Sequence, residues 1–89
     1  MTVRQVSRVG DLSSGSFFLE PRPLVRGSHN VLVNGRPCGR MGDNLLIKGV
    51  VISSSKVLVN GKPIAHVGTP TSMISEYMLQ GSSNVVTGG

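Results

Sequence analysis

The sequence predicts an all-β fold made of three copies of one short hairpin unit, with little or no helix. Three observations carry this reading. The phrase NGRPCGRMGD at 34–43 returns, altered, as NGKPIAHVGT at 60–69. Each copy follows a β-branched-rich run, VLV at 31–33 and again at 57–59, and opens on Asn-Gly, the preferred central pair of a type I′ hairpin turn. The two ends of the chain, read together, spell the phrase a third time. Internal self-similarity of this kind outranks local propensity as a guide to fold.

The units match residue by residue. SHNVLVNGRPCGRMGD at 28–43 pairs with SSKVLVNGKPIAHVGT at 54–69, placing Val31 with Val57, Leu32 with Leu58, Val33 with Val59, Asn34 with Asn60, Pro37 with Pro63 and Gly42 with Gly68. The third copy is divided. SSNVVTGG at 82–89 supplies its first half, with Val85, Val86 and Gly89 in the slots of Val31, Leu32 and Gly35. RQVSRVGD at 4–11 supplies the second, with Arg4, Val6, Arg8, Gly10 and Asp11 in the slots of Arg36, Cys38, Arg40, Gly42 and Asp43. A closed ring of three units whose termini meet satisfies this division, so residues 3–5 and 87–89 are expected to be neighbours.

Within each unit Asn and Gly supply the positive φ that the turn needs. The Pro two residues after each Gly cannot donate to a ladder, so the return strand is an edge or is irregular there. Gly10, Gly42 and Gly68 mark tight bends. Connectors of unequal length, 12–27, 44–53 and 70–81, link the units. LLIKGVVI in the second reads as strand, bend, strand. SMISEYMLQG in the third suits either a short helix stopped by Gly81 or a hairpin.

The 89 residues amount to one domain, 1–89, with a thin core. With no Trp, and only Phe17, Phe18 and Tyr77 as aromatics, that core rests on Val, Leu, Ile and Met. A single cysteine excludes an internal disulfide. Nine Lys+Arg against four Asp+Glu give a net charge of +5, compatible with nucleic acid, a membrane surface or an acidic partner. The cations are scattered rather than blocked, which reads as a solvated surface. Residues 1–20 lack the apolar run of a signal peptide, and no stretch is long and apolar enough for a spanning helix.

The words Pro37-Cys38-Gly39-Arg40 and Pro63-Ile64-Ala65-His66, each after Asn-Gly, resemble degenerate Pro-Ala-Ala-Arg words. With the Arg-x-Gly-Asp words at 8–11 and 40–43, they make the chain similar to the PAAR-repeat family over nearly its whole length. The resemblance implies a small cone-shaped PAAR-type fold. It implies a structural rather than enzymatic role: capping and sharpening the trimeric β-helical spike of a contractile injection machine, a phage tail baseplate or a type VI secretion system. One copy per spike trimer is expected, with transient contact to the target membrane as the envelope is pierced. The protein is then made in the bacterial cytoplasm and ends at a virion tail tip or a secreted spike tip. The chain has no room for an effector extension and is expected to be a bare tip.

A ring of three units suits a trimer for a separate reason, since it gives one chain approximate three-fold symmetry. The expected spike-facing set is the three strands, Val31, Leu32 and Val33, Val57, Leu58 and Val59, and Val85 and Val86. Strand ends of a spike can be covered by such edges; the alternative surface is formed by the connectors.

PAAR proteins commonly hold zinc near the tip with three His and one Cys, largely from the connectors. Here the connectors contain neither residue type. An apolar plug of Phe17, Phe18, Leu45, Leu46, Ile47, Met73 and Ile74 is expected instead, and no metal or other cofactor. If zinc binds, the candidates are His29, Cys38 and His66, short of the four ligands a structural site takes. The repeat argues against each. Cys38 shares its slot with Val6 and Ile64, as a small apolar residue does. His66 shares one with Arg8 and Arg40, and His29 one with Ser55 and Ser83, expected to be exposed. Asp11 and Asp43, matched by Thr69, read as turn residues accepting backbone hydrogen bonds. No catalytic residue is expected. The rival reading is a small basic β-domain binding nucleic acid, but single-strand binders need stacking aromatics that this chain lacks in number.

Overall fold

The computed structural model describes residues 3–16 and 19–87. Among these there is no helix. Six two-residue strands form three antiparallel pairs: β1 (Arg4–Gln5) with β6 (Val86–Thr87), β2 (Leu32–Val33) with β3 (Arg36–Pro37), and β4 (Leu58–Val59) with β5 (Lys62–Pro63). The first pair joins the two ends of the chain, with Arg4 opposite Thr87 and Gln5 opposite Val86. The expected meeting of the termini is therefore present; Phe17, Phe18, Gly88 and Gly89 lie outside the described residues.

The hairpins form for the reason the sequence gives. Asn34 and Gly35 have φ of 54° and 80°, Asn60 and Gly61 55° and 77°, the two positive values of a type I′ turn. Pro37 and Pro63 face Leu32 and Leu58, one pair back from the turn. That pair exchanges no ladder bonds, so the missing N–H of proline costs nothing there. In the second unit the repeat slips by one residue upstream. Ser28 and Ser82 accept from the N–H groups of Val31 and Val85, three residues on, whereas Ser55 accepts from Val57, two residues on. Ser55 is consequently buried rather than exposed like His29 and Ser83.

The units interlock by backbone bonds that repeat three times. Ser7 donates to Ala65 (3.0 Å), Ala65 to Gly39 (2.9 Å) and Gly39 to Ser7 (2.9 Å), a closed ring of N–H to C=O bonds around the pseudo-three-fold axis. One residue earlier in each unit, Val6, Cys38 and Ile64 pack with Val33 and Val59 into the first core layer. Beyond the ring, Leu24, Val51 and Met78 pack with Leu45 and Ala65 into the second. These three connector residues occupy equivalent places: their carbonyls accept from Gly10, Gly42 and Gly68, and their N–H groups donate to Asp11, Asp43 and Thr69.

The connectors are hairpins and make a second cyclic set of contacts. Bridges within them join Leu12 to Pro23, Asn44 to Val50 and Pro70 to Tyr77. Bridges between them join Ser13 to Met78, Leu24 to Leu45 and Val51 to Thr71. The third connector thus takes the hairpin alternative, with Ser75 at φ 59° in its turn. The extents of 30 × 29 × 23 Å have two nearly equal axes, as three-fold symmetry requires.

Candidate functional site

The period-two alternation of strands divides the predicted spike-facing set. Leu32, Leu58 and Val86 occupy the same slot in the three units and are 59, 59 and 53 % exposed; the next residue along, Val33, Val59 or Thr87, is 8, 7 or 7 % exposed. Val31 and Val57 are exposed and Val85 half-buried. Val33 and Val59 must therefore be removed from the expected docking set, because their side chains form the first core layer. What remains is an apolar surface repeated three times. At its centre Leu32, opposite a proline with no N–H, points its own N–H and C=O away from the hairpin, and Leu58 does the same.

The surface is held by polar links between units. Arg8 donates to the Asn34 side-chain oxygen (3.0 Å) and Arg40 to that of Asn60 (3.1 Å). Asn34 donates in turn to Asn84 (2.9 Å), and Asn60 to Asn30 (2.8 Å). The Gly-Asp words act as turns. Asp11, Asp43 and Thr69 accept from the backbone N–H of Arg8 (2.8 Å), Arg40 (2.8 Å) and His66 (3.0 Å), three residues earlier in each case. Asp11 and Asp43 also pair with the Arg8 and Arg40 guanidinium groups, and Arg36 reaches Asp11 from a second unit.

The metal candidates are not gathered. Cys38 is fully buried in the first core layer, and burial pushes its thiol up to about 11. His29 is exposed. His66 is half-buried with Nδ1 3.0 Å from the Val67 carbonyl. Among the described residues no three His, Cys, Asp or Glu side chains come together as a metal site.

The expected apolar plug is present only in part among the described residues, where Met73 is half-buried. Leu45 is buried in the second layer, but Leu46, Ile47 and Ile74 are exposed. The plug's two phenylalanines are outside the described residues. Beside the apolar second layer, which joins the three connectors through Leu24, Leu45, Val51 and Met78, stands a buried ion pair between Arg22 of the first connector and Glu76 of the third. Ser13 (2.8 Å) and Thr71 (2.6 Å) also donate to the Glu76 carboxylate. Arg22 donates to the carbonyls of Leu46 and Lys48 in the second connector. Three connectors thus meet on one charge pair. Burial alone would raise the Glu76 carboxyl, but the hydrogen bonds from Thr71, Arg22 and Ser13, with the Arg22 charge, hold it below its ordinary value. Arg22 and Arg40 are both buried, which corrects the reading of the cations as a uniformly solvated surface. The acids are mostly inside as well: Asp11, Asp43 and Glu76 are buried, and Glu20 is exposed.

Comparison with protein-family models gave no match, and comparison with curated proteins gave none.

Proposed function

We propose that this chain is a structural tip protein of the PAAR-repeat kind, which caps the trimeric β-helical spike of a contractile injection machine, in a phage tail or a type VI secretion system. The observation that carries this reading is the three-fold equivalence of Leu32, Leu58 and Val86, exposed apolar residues on short strands with an outward edge. A monomer has no need of such a surface, and an exposed apolar strand edge is a liability in isolation. It matches a partner that itself offers three equivalent strand ends, one to each unit. Cys38, His29, His66 and the paired Asp11 and Asp43 are all accounted for by packing, exposure or turn formation. The role proposed is accordingly mechanical, and no bond is made or broken.

Co-expression with a trimeric β-helical spike fragment tests the reading. The complex should survive purification, and Leu58→Asp should abolish it while the variant stays folded, since Leu58 is exposed. A spike that ignores the wild-type protein, combined with steeply salt-dependent oligonucleotide binding, would replace this reading with a nucleic-acid one.

A further inference from the structure

The charge of the molecule is divided unevenly between hairpins and connectors. The connectors nearly balance: Arg22 pairs with Glu76, and Lys48 is offset by Glu20, which leaves Arg26, beside the hairpin entry at Ser28, as their excess cation. The acids of the hairpin units, Asp11 and Asp43, are buried against Arg8 and Arg40. Among the described residues the hairpin units therefore expose cations and no acid. Arg4, Lys56 and Lys62 are exposed, and Arg36 is half-buried.

Three of those cations are equivalent. Arg4, Arg36 and Lys62 open the return strands β1, β3 and β5, directly opposite Thr87, Val33 and Val59. Residues directly opposite in an antiparallel pair share a face, and Thr87, Val33 and Val59 are buried. A lone cation cannot follow them into the core, so these side chains leave sideways, toward neighbouring units. Arg36 lies over the Gly10 bend, where a Cβ would come within 3.0 Å of its Nη1, and reaches Asp11 at 3.2 Å. Arg4 lies over the Gly68 bend and donates to the Val67 carbonyl at 3.3 Å. Lys62 forms no ion pair among the described residues.

Each unit keeps one positive charge in these slots, by different means. Two units add an Arg–Asp pair, Arg8 with Asp11 and Arg40 with Asp43. The unit of Lys62 has His66 and Thr69 in the same two slots. That exchange removes one charge of each sign, so Arg4, Arg36 and Lys62 remain the excess cation of their units. Each shares its hairpin with one of the exposed apolar residues Val86, Leu32 and Leu58. A three-fold partner thus meets one apolar contact and one cation in every unit. A nucleic-acid strand asks for something else, a basic track with stacking rings, and Phe17, Phe18 and Tyr77 all belong to connectors.

We propose that the trimeric partner carries one carboxylate side chain per subunit at its docking end, paired with Arg4, Arg36 and Lys62. The inference rests on the tip reading and adds the chemistry of the partner to it: three acids around an apolar centre. Charges at the rim of an interface act mainly on association rate and salt dependence, so those are the quantities to measure.

The test follows association kinetics with two trimeric β-helical spike fragments, one bearing an Asp at the rim of the docking end in each chain and the other an Asn in its place. Wild-type protein should bind the Asp fragment faster, and added salt should bring that rate down to the Asn rate. Lys62→Gln should slow association with the Asp fragment by about 1.5- to 5-fold, the range for one exposed ion pair, and leave the Asn fragment's rate unchanged. Lys62 has no ion pair to lose, so this variant should keep the wild-type melting temperature. Lys48→Gln, on a connector, should bind both fragments as the wild type does. Equal rates for the two fragments, no dependence on salt, or equal losses from Lys62→Gln and Lys48→Gln would each overturn the carboxylate pairing and leave the tip reading standing. No complex with either fragment would overturn both, and salt-dependent oligonucleotide binding in its place would assign the cations to phosphate.

Discussion

The backbone N–H of Ser7 donates to the carbonyl of Ala65 at 3.0 Å, closing a ring that runs on from Ala65 to Gly39 and from Gly39 back to Ser7. Ser7 belongs to the unit that is divided between the chain ends, so its N–H bond to Ala65 and the bond its carbonyl accepts from Gly39 tie the split copy to its two continuous relatives. All three residues are buried, with an apolar layer on either side. Opening any one of these bonds requires the two layers to separate. The amides of Ser7, Gly39 and Ala65 should therefore exchange hydrogen in the slowest class, at the free energy of global unfolding. Exchange followed by NMR checks this; fast exchange at Ser7 alone would mean that the split unit opens separately.

Gly39 holds its place in the ring because of what faces it. A Cβ there would lie 2.6 Å from Leu24 Cδ2 and 3.1 Å from the Ala65 Cβ. Gly39→Ala should destabilise the fold by about 1–3 kcal/mol, the range for overpacking a filled core, although Ala and Ser occupy the same slot in the other units. Denaturant unfolding measures it.

Cys38 is core rather than chemistry. With its thiol raised to about 11 by burial, it should resist alkylation at pH 8 until the chain unfolds. The folded value lies above the unfolded one, so stability is whole below about 8.5 and declines as pH rises from there. Cys38→Val, the residue found in the Val6 slot, should change stability by less than about 1.5 kcal/mol and remove the alkaline decline. Cys38→Ser should cost about 1–3 kcal/mol through a buried hydroxyl.

Glu76 is the charge on which the connectors depend. Its carboxyl is held below the ordinary value of 4.5. Its contribution is therefore complete above that value and is lost as pH falls below it, through the depressed folded value. Glu76→Gln leaves the buried Arg22 guanidinium without its counter-charge, which should cost about 3–5 kcal/mol and lower the melting temperature by roughly 15 °C or more. It should also flatten the acid limb of the stability profile. Pairing Arg22→Met with Glu76→Leu should recover stability relative to Glu76→Gln, because no charge is then left buried alone.

The hairpins and the ring were legible in the sequence because every unit spells them at the same internal spacing. Asn34-Gly35 and Asn60-Gly61 name their turn type, and the slot shared with Val6 and Ile64 marks Cys38 as a small apolar residue. The second layer was not legible. Leu24, Val51 and Met78 return to equivalent places after connectors of unequal length, so no fixed offset reveals them. Nor does any local period link Arg22 to Glu76, which meet only because the ring closes. The burial of Val33 and Val59 could have been read, since alternation along VLV requires one side chain to turn inward beside an exposed Leu. Ile47, at φ 73°, gave no sequence signal of its backbone state; Gly49, two residues on, is the residue that usually marks such a bend.

Three-fold equivalence within one chain is the centre of the account, and stoichiometry tests it most directly. Native mass spectrometry of the purified complex with a trimeric spike should give one copy of this protein per three spike chains. Two or three copies per trimer, or no complex, would contradict it, because in the proposed cap a single chain presents Leu32, Leu58 and Val86 to three subunits at once.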